Sequence, residues 1–164
     1  MTERKGYMRL KASRAETLKE ARNTLTQRVQ GPNSEGTVEM DISGLRDGNV
    51  AGFGVFQFPY AYMAIEQENG QRNLVMCNDG IIKEAINDIE GDKFWLRVRV
   101  MDRDFRALFY YSTDGVNFKR IGDTLKMGLG LPWTANRYAL FNFSKTIEGV
   151  GGYADFNWFR FTGR

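Results

Sequence analysis

The 164 residues suit one domain, 1–164, and a chain of this size buries roughly 70% of the surface its unfolded form exposes, enough for a core without disulfides or metals. The net charge of +3, from 23 basic and 20 acidic residues without like-charge blocks, argues against nucleic-acid binding. The absence of histidine removes Ser-His and Cys-His nucleophiles and His-ligated metals, and no apolar run approaches the ~18 residues of a membrane span.

Met1 to Gly6 lacks the apolar stretch of a signal peptide, which leaves the compartment open. Ser13 to Gln30 is rich in helix formers, and Ala15, Leu18, Ala21, Leu25 and Val29 have helical spacing. Thr24 to Val29 also alternates, so the expectation is a loop followed by a strand. Thr37 to Ile42 reads as a strand ending at Ser43-Gly44. Val50 to Phe58 is a Gly-interrupted apolar strand stopped by Pro59, and Tyr60 to Gln67 resumes it. Asn69-Gly70 favours a type I′ hairpin into Asn73–Cys77, a run in which the single cysteine, Cys77, reads as a buried thiol.

Asn78-Asp79-Gly80 is a second turn, followed by a strand from Ile81 to Ile89. Phe94 to Met101 gives the cleanest alternation, with Phe94, Leu96, Val98 and Val100 facing one way and Trp95, Arg97 and Arg99 the other. Arg106 to Ser112 pairs with it, Ser112 to Gly115 turns, and Arg137–Phe143 and Tyr153–Phe161 complete the set. Short strands at this spacing, with 12 Phe, 7 Tyr, 3 Trp and 18 Gly, predict an all-β sandwich or barrel.

Glu39 with Asp41, and Asp102 with Asp104, are the carboxylate pairs that a glycosidase would require, and each also reads as a solvated strand face or turn. Asp155 sits in an otherwise apolar strand and must be paired, with Arg97 and Arg99 as candidate partners and calcium or a sugar as alternatives. Phe53, Phe94, Phe109, Phe141, Phe156 and Trp158 read as core rings. Pyranose faces stack on aromatic rings and their hydroxyls bond to Arg, Asn and Asp. A sugar site therefore draws on Tyr62, Trp95, Arg97, Asn142 and Asp155, with Tyr60 and Trp133 as a rim.

Ala21–Arg28, Val50–Gln57, Pro59–Tyr62, Tyr110–Gly115, Gly130–Trp133 and above all Gly151–Arg160 resemble the C-terminal concanavalin A-like domain of family-43 glycoside hydrolases, the β-xylosidase and arabinofuranosidase group. The resemblance runs from about residue 7 to the C-terminus. It implies a two-sheet antiparallel jelly-roll sandwich without catalytic residues of its own. It also implies a module following a five-bladed catalytic propeller in one parent protein, which would be extracellular or periplasmic if that parent is secreted. The implied partners are that catalytic domain and a xylan- or arabinan-type oligosaccharide, with no cofactor unless calcium sits at Asp155. By position, Ser13–Ala21 corresponds to a loop that reaches the catalytic pocket, with Leu18 as its intruding side chain. Asn157 departs from the commoner Asp. A purely structural interaction module is the alternative to sugar binding, and a small glycosidase using Glu39 and Asp41 is the remote one.

Overall fold

In the computed structural model, which describes residues 3–129 and 135–163, almost all regular structure is extended. The strands are β1 (Met8–Lys11), β2 (Ser13–Arg14), β3 (Thr24–Arg28), β4 (Asn33–Asp41), β5 (Asn49–Phe56), β6 (Ala61–Glu68) and β7 (Gln71–Asn78). They continue with β8 (Ile81–Ile86), β9 (Lys93–Met101), β10 (Arg106–Ser112), β11 (Lys119–Arg120), β12 (Leu125–Lys126), β13 (Arg137–Ser144) and β14 (Tyr153–Gly163). The first sheet runs β1-β14-β4-β9-β10, with β11 and β12 both on β10. The second runs β13-β5-β6-β7-β8, with β2 and β3 both on β13. The segment with helical spacing is loop, one 3₁₀ turn at Leu18–Glu20, and then strand β3. β2 runs parallel to β13, so the second sheet is mixed rather than wholly antiparallel.

Turn chemistry sets the register of the second sheet. Asn69 and Gly70 have φ of 51° and 76°, and Asp79 and Gly80 have 49° and 84°, the left-handed pairs that two-residue hairpins need. The glycines that interrupt β5 are explained by close approach. A Cβ at Gly52 would lie 2.0 Å from the Met63 carbonyl oxygen, and one at Gly54 would lie 2.3 Å from that of Ala61.

Between the sheets, Val38 and Met40 of β4 and Phe94, Leu96, Val98 and Val100 of β9 meet Phe53, Met63, Ile65, Leu74 and Leu140 of the second sheet. Phe53 centres an aromatic group, with ring centroids 5.7 Å from both Tyr138 and Phe159. Tyr138 satisfies its buried hydroxyl through a 2.8 Å hydrogen bond with Ser34 Oγ. A second apolar cluster covers the other face of the second sheet, where Ala15 and Leu18 roof Tyr62, Ala64, Val75, Cys77, Phe141 and Phe143. Burial there pushes the Cys77 thiol pKa up.

Phe53→Ala leaves a ring-sized cavity at this centre. The expected cost is about 3–5 kcal/mol, read as a lower urea midpoint at unchanged m-value.

Candidate functional site

Burying alternate residues of β4 and β9 forces their intervening side chains onto the outer face of the first sheet, and the register aligns them in rows. One row is Trp158, Glu39 and Trp95, from β14, β4 and β9. The next is Arg160, Thr37 and Arg97, and the third is Thr162, Glu35 and Arg99. Glu39 accepts hydrogen bonds from Trp158 Nε1 at 2.8 Å and from Asn157 Nδ2 at 3.1 Å. An amide at position 157 can donate to Glu39, whereas the commoner carboxylate would repel it. Arg97 donates to Thr37 Oγ1 at 3.0 Å and lies 3.5 Å from the Phe118 ring centroid. Arg97 and Arg99 both pair with Glu35. The Arg160 guanidinium stacks 4.4 Å from the Trp158 centroid. The third row opens into a pocket of about 280 Å³ lined by Ser34, Glu35, Arg99 and Thr162.

Beside these rows lies a compact ion cluster. Asp155 is 1% exposed and accepts from Arg9 Nε at 2.7 Å, Arg9 Nη2 at 2.8 Å and Arg4 Nη1 at 3.1 Å. Arg4 also donates to Asp41 at 2.7 Å. Burial alone would raise the pKa of Asp155, but the bonds from Arg9 and Arg4 outweigh it and hold the carboxyl below its usual range. For Asp41, burial is likewise outweighed by Arg4 and Ser43. The arginines come from β1, where Arg9 stands opposite Asp155, and from the segment before it, which carries Arg4, and not from β9 as the sequence suggested. Both Asp155 oxygens are occupied by cationic groups, which disfavours calcium there. Among the described residues no group of three or more carboxylates or cysteines gathers to hold a metal.

The structure separates the expected sugar residues. Trp95, Arg97 and Asp155 do share the outer face of the first sheet, with Trp95 and Arg97 half-buried. Tyr62, 6% exposed, stacks on Tyr60 and meets Phe141 edge-to-face on the far side of the second sheet. Tyr60 is 3% exposed, so neither tyrosine offers a free ring face. Asn142 is fully buried and donates to the carbonyls of Leu10 and Gly152 at 2.8 and 3.3 Å, so its role is internal. Trp133 lies outside the described residues. Leu18, 1% exposed, packs under its own loop against the second sheet.

Trp158 was expected in the core and instead lies half-buried on the outer face. The register shift between Phe156 and Trp158 inverts the parity of β14, placing Phe159 and Phe161 against the core and Trp158 outside. Alternation read without that bulge misplaces it. Glu39 and Asp41 sit two apart on one strand face, as expected. Asp41, however, is held ionised by Arg4, unlike a general acid, whose pKa must be raised.

Residues 1–162 match the family described as the β-xylosidase C-terminal concanavalin A-like domain. A β-xylosidase of Formosa agariphila is 29% identical over 98% of the chain and 30% of its own length. Among solved structures, a bifunctional GH43-CE protein of Bacteroides eggerthii superposes with a TM-score of 0.89 at 36% identity, over 99% of the chain and 22% of its own. A GH43 glycoside hydrolase engineered to display both endo-xylanase and exo-arabinofuranosidase activity gives 0.88 at 26% identity, over 95% of the chain and 34% of its own. The chain thus spans about a third or less of the relatives it matches.

Asp155→Asn leaves two guanidiniums facing a neutral group and is expected to cost about 2–3 kcal/mol, several degrees in Tm. The depressed carboxyls of Asp155 and Asp41 stabilise the fold above their unfolded pKa of about 3.9, and this contribution fades as pH falls through their lower folded values. Thermal melts from pH 7 to pH 2 should therefore show Tm falling below about pH 4, and less steeply in Asp155→Asn than in the parent.

Proposed function

The chain belongs to the family of β-xylosidase C-terminal concanavalin A-like domains, and we propose that it is a non-catalytic accessory domain that packs on a glycosidase catalytic domain in a larger enzyme acting on xylan- or arabinan-type chains. The observation that carries this reading is an apolar end of the sandwich. Phe58 is 62% exposed and Leu129 is 78% exposed, both on connections at that end. Gly128 places the two segments in contact, since a Cβ there would lie 2.3 Å from the Phe58 carbonyl oxygen. Ile81, at the adjoining β7–β8 turn, and Phe105, whose carbonyl accepts from Met127 N, are also exposed. Exposed apolar groups gathered this way are the usual mark of a surface that is covered in its working assembly.

Glu39 and Asp41 weigh against hydrolysis by this domain itself. A retaining or inverting pair needs one protonated acid and room between two carboxyls for the glycosidic bond. Here Asp41 is paired to Arg4, and Glu39 is occupied by the Trp158 indole and the Asn157 amide. The expected outcome is that the purified chain hydrolyses aryl xylosides and arabinosides no faster than buffer, with Glu39→Gln unchanged. Turnover abolished by that substitution would make the domain an enzyme.

For docking, the chain is titrated against a separately produced family-43 catalytic domain and followed by sedimentation. Phe58→Asp and Leu129→Asp each place a charge in the patch and should weaken association at least about tenfold. Association indifferent to both would remove the apolar end from the interface.

A further inference from the structure

We infer that the free edge of β14 binds an extended peptide segment of a partner protein, one that carries an acidic residue between two apolar ones. β4 pairs with β14 along Asp155–Gly163, but β1 covers the opposite edge only along Tyr153–Phe156. The chain's own N-terminal segment turns away from the rest of that edge. Gly6 has φ of 83°, Tyr7 N donates to the Arg4 carbonyl at 3.2 Å, and Arg4 is held by Asp41 and Asp155. From Asn157 to Gly163, no strand among the described residues pairs with the outer side of β14. Backbone N–H and C=O groups along such an edge point outward and form a template for one more strand. The segment also lacks proline and lysine, residues that discourage edge pairing.

The side chains beside this edge define what the added strand must carry. The gap between the sheets here is an apolar cleft of about 220 Å³, lined by Met8, Leu25, Phe53, Tyr138, Leu140 and Phe159. Leu25 is 46% exposed, and its strand, β3, pairs only with β13. A strand laid along β14 points alternate side chains into this cleft beside Phe159 and Phe161, where apolar groups leave water. The residue between them faces outward, across from Arg160. Arg160 is exposed and has no carboxylate partner among the described residues, whereas Arg97 and Arg99 share Glu35. An acidic residue at that place completes an opposite-charge cross-strand pair. A second copy of this chain is the poorer occupant, because twofold pairing of β14 with itself about Arg160 sets one guanidinium against another. None of Phe58, Leu129, Ile81 and Phe105 lines the cleft, so the docking reading and this one can fail separately.

The test is a two-dimensional NMR titration of the ¹⁵N-labelled chain with the capped heptapeptide Ser-Thr-Val-Glu-Val-Thr-Ser, and with a second peptide in which lysine replaces the glutamate. The expected result is saturable amide shifts confined to Met8, β3 and the stretch from Asn157 to Gly163, with slower hydrogen exchange along that stretch. The lysine peptide should bind about tenfold more weakly. Arg160→Glu should reverse that order, and Leu25→Asp, which places a charge in the cleft, should abolish binding of the glutamate peptide. Both side chains are exposed, so neither substitution threatens the fold. The inference is overturned if millimolar peptide shifts nothing, if the two peptides bind equally well, or if the shifts fall on β8 or the apolar end. It is also overturned if the chain alone sediments as a dimer with the β14 edge amides already protected, since a second copy then holds the edge.

Discussion

The strict two-residue alternation of β4 and β9 is the constraint from which the rest follows. These neighbouring strands lie in the middle of the first sheet, and each sends every second side chain into the core. Once Val38, Met40, Phe94, Leu96, Val98 and Val100 are buried, Glu39, Trp95 and Arg97 can only face outward. A slip of one residue would exchange these sets and bury an arginine and a glutamate, so the register is strongly specified. The outer face of the first sheet is in this sense a by-product of packing the core. The bulge at Asn157 then adds what alternation alone does not provide. By inverting the parity of β14 it brings a second indole into the row and turns Phe159 and Phe161 toward Phe53 and its neighbours.

Charge is arranged around that frame. Asp155 lies on a strand beside β1, and Arg9 stands directly across from it. Arg4 extends the cluster to Asp41 on β4, so the segment from Glu3 to Lys11 is fastened across two strands of the sheet. The same cluster occupies the carboxylates that would otherwise invite a metal or a catalytic role. At the opposite extreme of polarity, Phe58 and Leu129 stay exposed on connections at one end of the sandwich. The domain therefore presents a polar aromatic sheet face and an apolar end.

The sheets were legible because their strands alternate and their turns carry Asn-Gly and Asp-Gly. The faces of β9, the hairpin from Arg106, and the loop-then-strand reading of residues 13–30 match the structure for that reason. The site was legible only in part. Trp95 and Arg97 follow from alternation along β9, but Tyr62 and Asn142 belong to the other sheet, and pattern alone cannot say which sheet a strand joins. β1 was missed because four residues make a faint signal, although Met8, Arg9, Leu10 and Lys11 do alternate. With β1 unseen, Asp155 was assigned arginines from the wrong strand. Trp158 was misplaced because a bulge leaves no mark in composition. Leu18 was assigned to a reaching loop by the resemblance, and its burial beneath that loop on the second sheet is a packing feature that the residue pattern does not show.

The central claim is that the apolar end meets a catalytic domain while the indole row stays open to solvent. Hydroxyl-radical footprinting of this domain, alone and joined to a family-43 catalytic domain, tests it most directly. The account predicts that Phe58 and Leu129 lose reactivity in the joined protein while Trp95 and Trp158 keep theirs. Protection of the two tryptophans with Phe58 and Leu129 still reactive would contradict it, and would make the outer face of the first sheet the surface on which the catalytic domain sits.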